Sequence, residues 1–128
     1  MMPLLLLASA SADLDALDRA VAQCDRKVAS PEFAAEAARR SQFLLDTYRE
    51  QESIVAARLA LDDQRRALRE AGTTKPIEQK QIDLTQAALE DRQRALNDKR
   101  MLEGIRQDAM DNMRRYFLNN CPAGRSEK

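Results

Sequence analysis

Two cysteines, Cys24 and Cys121, are the only thiols in the 128 residues, and they stand almost a chain length apart. They form no CxxC pair, and with no histidine anywhere in the chain they cannot complete a zinc site. An even count with wide spacing in an exported chain reads instead as one structural disulfide. The missing histidine also removes the commonest general base, metal ligand and pH switch. Gly72, Gly104 and Gly124 are too scattered to build a phosphate-cradling loop. Adjacent carboxylates occur at Asp62-Asp63 and Glu90-Asp91, but helical neighbours point about 100° apart. Arginines stand close to both pairs, so each reads as a solvated charged face. The chain is therefore expected to hold no catalytic, cofactor-binding or metal-ligating residues and to be no enzyme.

Two clusters suit recognition better than catalysis. Arg65, Arg66 and Arg69, with Lys75 beyond Gly72, form a locally basic group that can dock an acidic partner or an anionic surface. The same cations also suit the end of a helix, where they favour the dipole and offset Asp62 and Asp63. Met110, Met113, Tyr116 and Phe117 form an adaptable apolar group. Packing against Leu14, Leu17 and Val21 accounts for them more simply.

The elements that must position these residues are helices. Only three glycines, four prolines and five aromatic residues occur, and alanine, leucine and long charged side chains dominate. Leu14, Leu17, Val21, Cys24 and Val28 recur at spacings of three and four, which predicts a first helix over about 13–29. Ser30, Pro31 and Glu32 suit a cap, a first helical position and a first turn. A second helix is expected over 31–71, with a seam of Phe33, Ala37, Leu44, Gln51, Ile54, Ala57, Leu61, Gln64, Leu68 and Ala71, thickened by Phe43, Leu45, Tyr48, Val55 and Leu59. Gly72 through Pro76 is the sharpest break, with glycine to end one helix and proline to open the next. A third helix over 76–119 carries two overlapping seams. One is Ile77, Leu84, Ala88, Ala95, Leu102, Ile105 and Ala109; the other is Ile82, Leu89, Leu96, Met110, Met113 and Phe117.

So short a break makes the long helices antiparallel neighbours. A hairpin closed there brings the regions of Cys24 and Cys121 together, so the cysteine spacing and the helix pattern agree. The expected fold is all-α: a long, coiled-coil-like antiparallel hairpin, with a short N-terminal helix packed on its base and one disulfide tying them. Residues 13–121 form one hairpin domain, and 122–128 form a polar tail.

Residues 1–12 are uncharged and apolar, ending in Ala10-Ser11-Ala12, which fits a signal peptide cleaved before Asp13. The run is too short to span a bilayer, so no transmembrane segment is expected after cleavage. With the cysteines, this points to an exported protein, periplasmic or extracellular. Charge excludes the commonest nucleic-acid binders, since 21 basic residues balance 21 acidic ones and the two signs alternate. The expected function is a non-enzymatic interaction or scaffolding module of the cell envelope, whose partner is another protein. The alternatives are a periplasmic holdase-type chaperone with helical arms and a small inhibitor of an extracellular hydrolase. A homo-oligomer formed through the arms is a further expectation.

Overall fold

The computed structural model describes residues 14–72 and 75–122. The described residues are helical apart from short turns: α1 over 14–22, α2 over Arg26–Glu70 and α3 over Pro76–Asn120. The fold is the expected all-α hairpin. A short N-terminal helix packs on the two long ones, and a disulfide joins Cys24 to Cys121. The proposed signal peptide, Thr73 and Thr74, and the tail beyond Pro122 lie outside the described residues.

The start of the chain departs from the expected pattern. The first helix stops at residue 22, and the second starts at Arg26 with Pro31 inside it. Cys24 causes the early stop by adopting the left-handed conformation, φ 53°. Its N–H donates to the Val21 carbonyl at 3.1 Å, and the Asp25 N–H donates to Ala20 at 2.8 Å. These paired bonds satisfy carbonyls that a helix end leaves open. Asp25 then occupies the cap position, its carbonyl accepting from Ala29 at 3.0 Å. Pro31 follows only one turn later, and its missing N–H costs α2 a single hydrogen bond. The turn also shifts the apolar register by one residue. Val28, expected on the seam, is exposed, and Ala29 is fully buried in its place.

At the other break, Gly72 takes φ 68° and its N–H donates to the Arg69 carbonyl at 3.2 Å. The left-handed region is open to glycine at little cost, which is why the chain reverses here. The Lys75 carbonyl accepts from Gln79 at 3.0 Å and starts α3.

Among the described residues, contacts gather into two compact units, and α2 and α3 each contribute a segment to both. The first unit takes the chain up to Ser41 and from Glu103 onward. Its core is Leu17, Val21, Ala29, Met110, Phe117 and Cys121, with Phe33 and Met113 packed against them. Phe33 meets Phe117 at 5.7 Å between tilted rings, and the Arg26 guanidinium lies 5.0 Å from the centroid of the Phe117 ring. The second unit, Gln42–Leu102, is an antiparallel helix pair with Leu61, Ile82 and Leu89 at its core, flanked by Ala57 and Leu68. Ile54 and Leu96 are buried in the same unit.

Of the two seams expected on α3, the structure buries the second. Ile77, Leu84, Leu102 and Ile105 are exposed, whereas Ile82, Leu89, Leu96, Met110 and Phe117 are buried. On α2, Leu44, expected on the seam, is exposed, and Leu45, Tyr48, Val55 and Leu59 are likewise exposed and do not thicken the core as expected. Tyr116 is also exposed, although Met110 and Phe117 pack as the sequence implies.

Candidate interaction surface

The disulfide is the one covalent feature that the sequence placed, and its Cα atoms stand 5.4 Å apart across a separation of 97 residues. Cys24 doubles as the left-handed residue that ends α1. Cys121 follows α3, with its N–H donating to the Phe117 carbonyl at 3.0 Å. Arg26 secures the same corner, donating to the Pro122 carbonyl at 3.1 Å.

The basic cluster is only partly assembled. Arg65, Arg69 and Lys75 line one open groove with Leu68, Lys80 and the acidic Asp83, while Arg66 stands outside it. Three of the four cations have an acid one turn away: Arg65 with Asp62 at 3.6 Å, Arg66 with Asp63 at 3.6 Å and Lys75 with Glu78 at 3.8 Å. Exposed pairs at such distances are weak. They nevertheless cancel much of the local charge, so the groove carries a modest positive potential rather than a strong anion site.

The sequence reading missed a buried ionic network in the first unit. Glu36 is 8% exposed and Glu103 7%. The Glu36 carboxylate accepts from Arg39 at 2.8 Å, Arg40 at 2.6 Å and Arg106 at 3.0 Å. Glu103 accepts from Arg39 at 2.6 Å and from Gln107 at 2.8 Å. Arg40 extends the chain to Asp111 at 2.7 Å. Burial alone would raise the Glu36 carboxyl. The bonds from Arg39, Arg40 and Arg106 outweigh it and hold the group at about 2. Burial is opposed in the same way at Glu103, where Arg39 and Gln107 lower the carboxyl.

Polar side chains also interrupt the seam of the second unit. Gln51 and Gln93 bond reciprocally at 2.8 and 3.0 Å. Thr47 is buried and returns its hydroxyl hydrogen to the Phe43 carbonyl at 2.9 Å. Arg92 pairs with Glu50 beside them. A signal for these layers was present. Phe33, Glu36, Arg40 and Phe43 keep the spacing of three and four, so the seam continues through the charged residues. No buried side-chain nitrogen or oxygen among the described residues lacks a partner. Satisfied polar layers of this kind specify register and pairing more than they add stability.

The second unit also leaves large apolar side chains exposed. Leu44, Tyr48, Val55 and Leu59 run along α2 at exposures of 67, 61, 45 and 61%. Ile77, Leu84 and Leu102 run along α3 at 79, 56 and 53%. At about 100° per residue, Tyr48 and Val55 lie about 100–120° to one side of the seam residue Ile54. Leu84 and Leu102 lie about 140° to the opposite side of Leu89. Equal offsets share a face in an antiparallel pair, as the Glu50–Arg92 bond shows, so the two stripes occupy opposite faces of this unit.

Among the described residues no cluster of acids and cysteines has the arrangement of a metal site, and no helix is long and apolar enough to cross a membrane. Comparison with known proteins found no matching family, no similar characterised protein and no similar solved structure.

Proposed function

We propose that this protein is an exported, non-enzymatic interaction module of the cell envelope, which offers one face of its long α3 helix to a partner protein. The supporting observation is the stripe of Ile77, Leu84 and Leu102, large apolar side chains left in water at helical spacing beside a seam that is already filled. Ile77 and Leu84 stand seven residues apart and Leu102 eighteen further on, both intervals that return to one side of a helix, so the row suits the apolar face of an extended partner helix. The nearby basic groove of Arg65, Arg69 and Lys75 adds charge selection for an acidic end of that partner. The disulfide fits an oxidising compartment. Export itself is supported by the apolar run and Ala-x-Ala ending of residues 1–12.

A photo-crosslinking residue at Leu84, used in intact cells, tests this reading. The expected result is one or two discrete adducts, lost when Leu102→Lys is added and weakened by Arg65→Glu. A smear of many unfolded envelope proteins would favour the chaperone. Stoichiometric loss of one hydrolase's activity would favour the inhibitor. An absence of adducts at Leu84 and at Leu102 refutes the interaction surface.

A further inference from the structure

The α2 stripe has a property that the α3 stripe lacks. Leu44, Tyr48, Val55 and Leu59 are separated by four, seven and four residues, so the row reads the same in both directions. Its midpoint falls between Gln51 and Glu52. A two-fold axis through that point, perpendicular to the helix, sets Leu44 of one copy against Leu59 of the other. It sets Tyr48 against Val55 in the same register. Two-fold interfaces require one patch to complement itself in this way.

We propose that the chain forms an isologous dimer through this stripe, α2 packing antiparallel on α2 of a second copy. The four side chains are exposed by 45 to 67%, and covering them completely removes at most roughly 900 Å² over two copies, short of the ~1,000 Å² of a stable contact and in the range of weak, reversible ones. An interface of that size gives a reversible dimer rather than an obligate one, its affinity set by how well the tyrosines pack rather than by area. The seam of each copy stays intact, because the stripe lies about 100° from Ile54. The polar layers at Gln51–Gln93 and Glu50–Arg92 keep the two helices of each copy paired, so that association adds a second copy and does not exchange helices. The α3 stripe, on the opposite face, is left free for another protein.

Sedimentation velocity on the full chain with its disulfide intact, over a wide concentration range, tests the proposal. A monomer–dimer equilibrium is expected. Tyr48→Lys should raise its dissociation constant at least about thirty-fold, whereas Leu84→Lys leaves it unchanged. Circular dichroism on both variants shows that the fold survives. Mixing Leu44→Cys with Leu59→Cys chains under mild oxidation should yield a linked dimer. Either variant alone should not, because its cysteines would lie about 22 Å apart along the axis, beyond disulfide reach. A monomer at all concentrations, or linkage of Leu44→Cys to itself, overturns the proposal. So does a dimer dispersed by Leu84→Lys in place of Tyr48→Lys. None of these results bears on whether α3 captures an envelope partner.

Discussion

Replacing Glu36 by glutamine keeps the shape of the side chain and removes the charge on which Arg39, Arg40 and Arg106 converge. Three guanidiniums then face only Glu103 and Asp111 as acids. The folded carboxyl sits at about 2 against an ordinary 4.5, a gap equivalent to about 3.5 kcal/mol at ~1.4 kcal/mol per pH unit. That figure is an upper limit, because the arginines remain between 18 and 34% exposed. Solvent screening reduces it to about 1–2 kcal/mol. Because the folded value lies below the unfolded one, the stabilisation is complete above about pH 4.5 and is lost as the pH falls toward about 2. Urea unfolding at pH 7 and pH 3 reads both effects. Glu36→Gln should destabilise by about 1–2 kcal/mol at pH 7, and its stability should fall less than that of the natural chain on acidification. Glu103 titrates in the same direction and shares Arg39 with Glu36, so a double-mutant cycle with Glu103→Gln separates the two carboxylates. Equal stability at pH 7 with equal acid sensitivity would refute the reasoning.

Other perturbations have separate readouts. Reducing the disulfide, or replacing Cys24 and Cys121 by serine, frees a loop of about a hundred residues; the expected loss is about 3–4.7 kcal/mol, measured as a lower urea midpoint. Phe117→Ala removes a buried ring together with its contacts to Phe33 and Arg26, and should cost about 3–5 kcal/mol by the same assay. Gly72→Ala meets no steric obstacle but places a Cβ at φ 68°, so thermal unfolding should show a loss of about 1 kcal/mol. Exchanging Gln51 and Gln93 together for leucine should raise thermal stability, because a satisfied polar layer is replaced by an apolar one. The same double variant should loosen helix pairing, seen as larger assemblies in sedimentation.

The fold was legible because its signals are local. Gly72 followed closely by Pro76 marks a reversal wherever it occurs, and long alanine- and leucine-rich runs form helices before any partner arrives. The cysteine positions gained meaning only through that reversal, and the bridge follows from helix lengths that need no side-chain detail. The turn at Cys24 was not legible. Ser30, Pro31 and Glu32 carry stronger start signals than Asp25, yet the chain turns where Cys24 takes a left-handed φ usually reserved for glycine or asparagine. The ionic network was hidden for a related reason. Glu36 and Arg40 stand at seam spacing, but charged residues at such spacing usually lie on a solvated face. Only the arrival of Glu103 and Arg106 from α3 makes burial affordable.

By itself, the amino-acid order determined the all-helical character, the hairpin and the disulfide, because propensity, turn chemistry and the even cysteine count act within short stretches of chain or through simple lengths. Tertiary structure alone decided which of two apolar stripes each long helix buries. Ile82 and Leu84 are equally apolar and two positions apart, and a helix with stripes on two sides can turn either one inward. The choice falls to the facing helix, where Ile54 and Leu61 can fill the space between Ile82, Leu89 and Leu96 while the glutamines and arginines of both helices find partners. Leu44, Tyr48, Leu84 and Leu102 are left in water by that choice, and the surface they form exists only once the seam has closed.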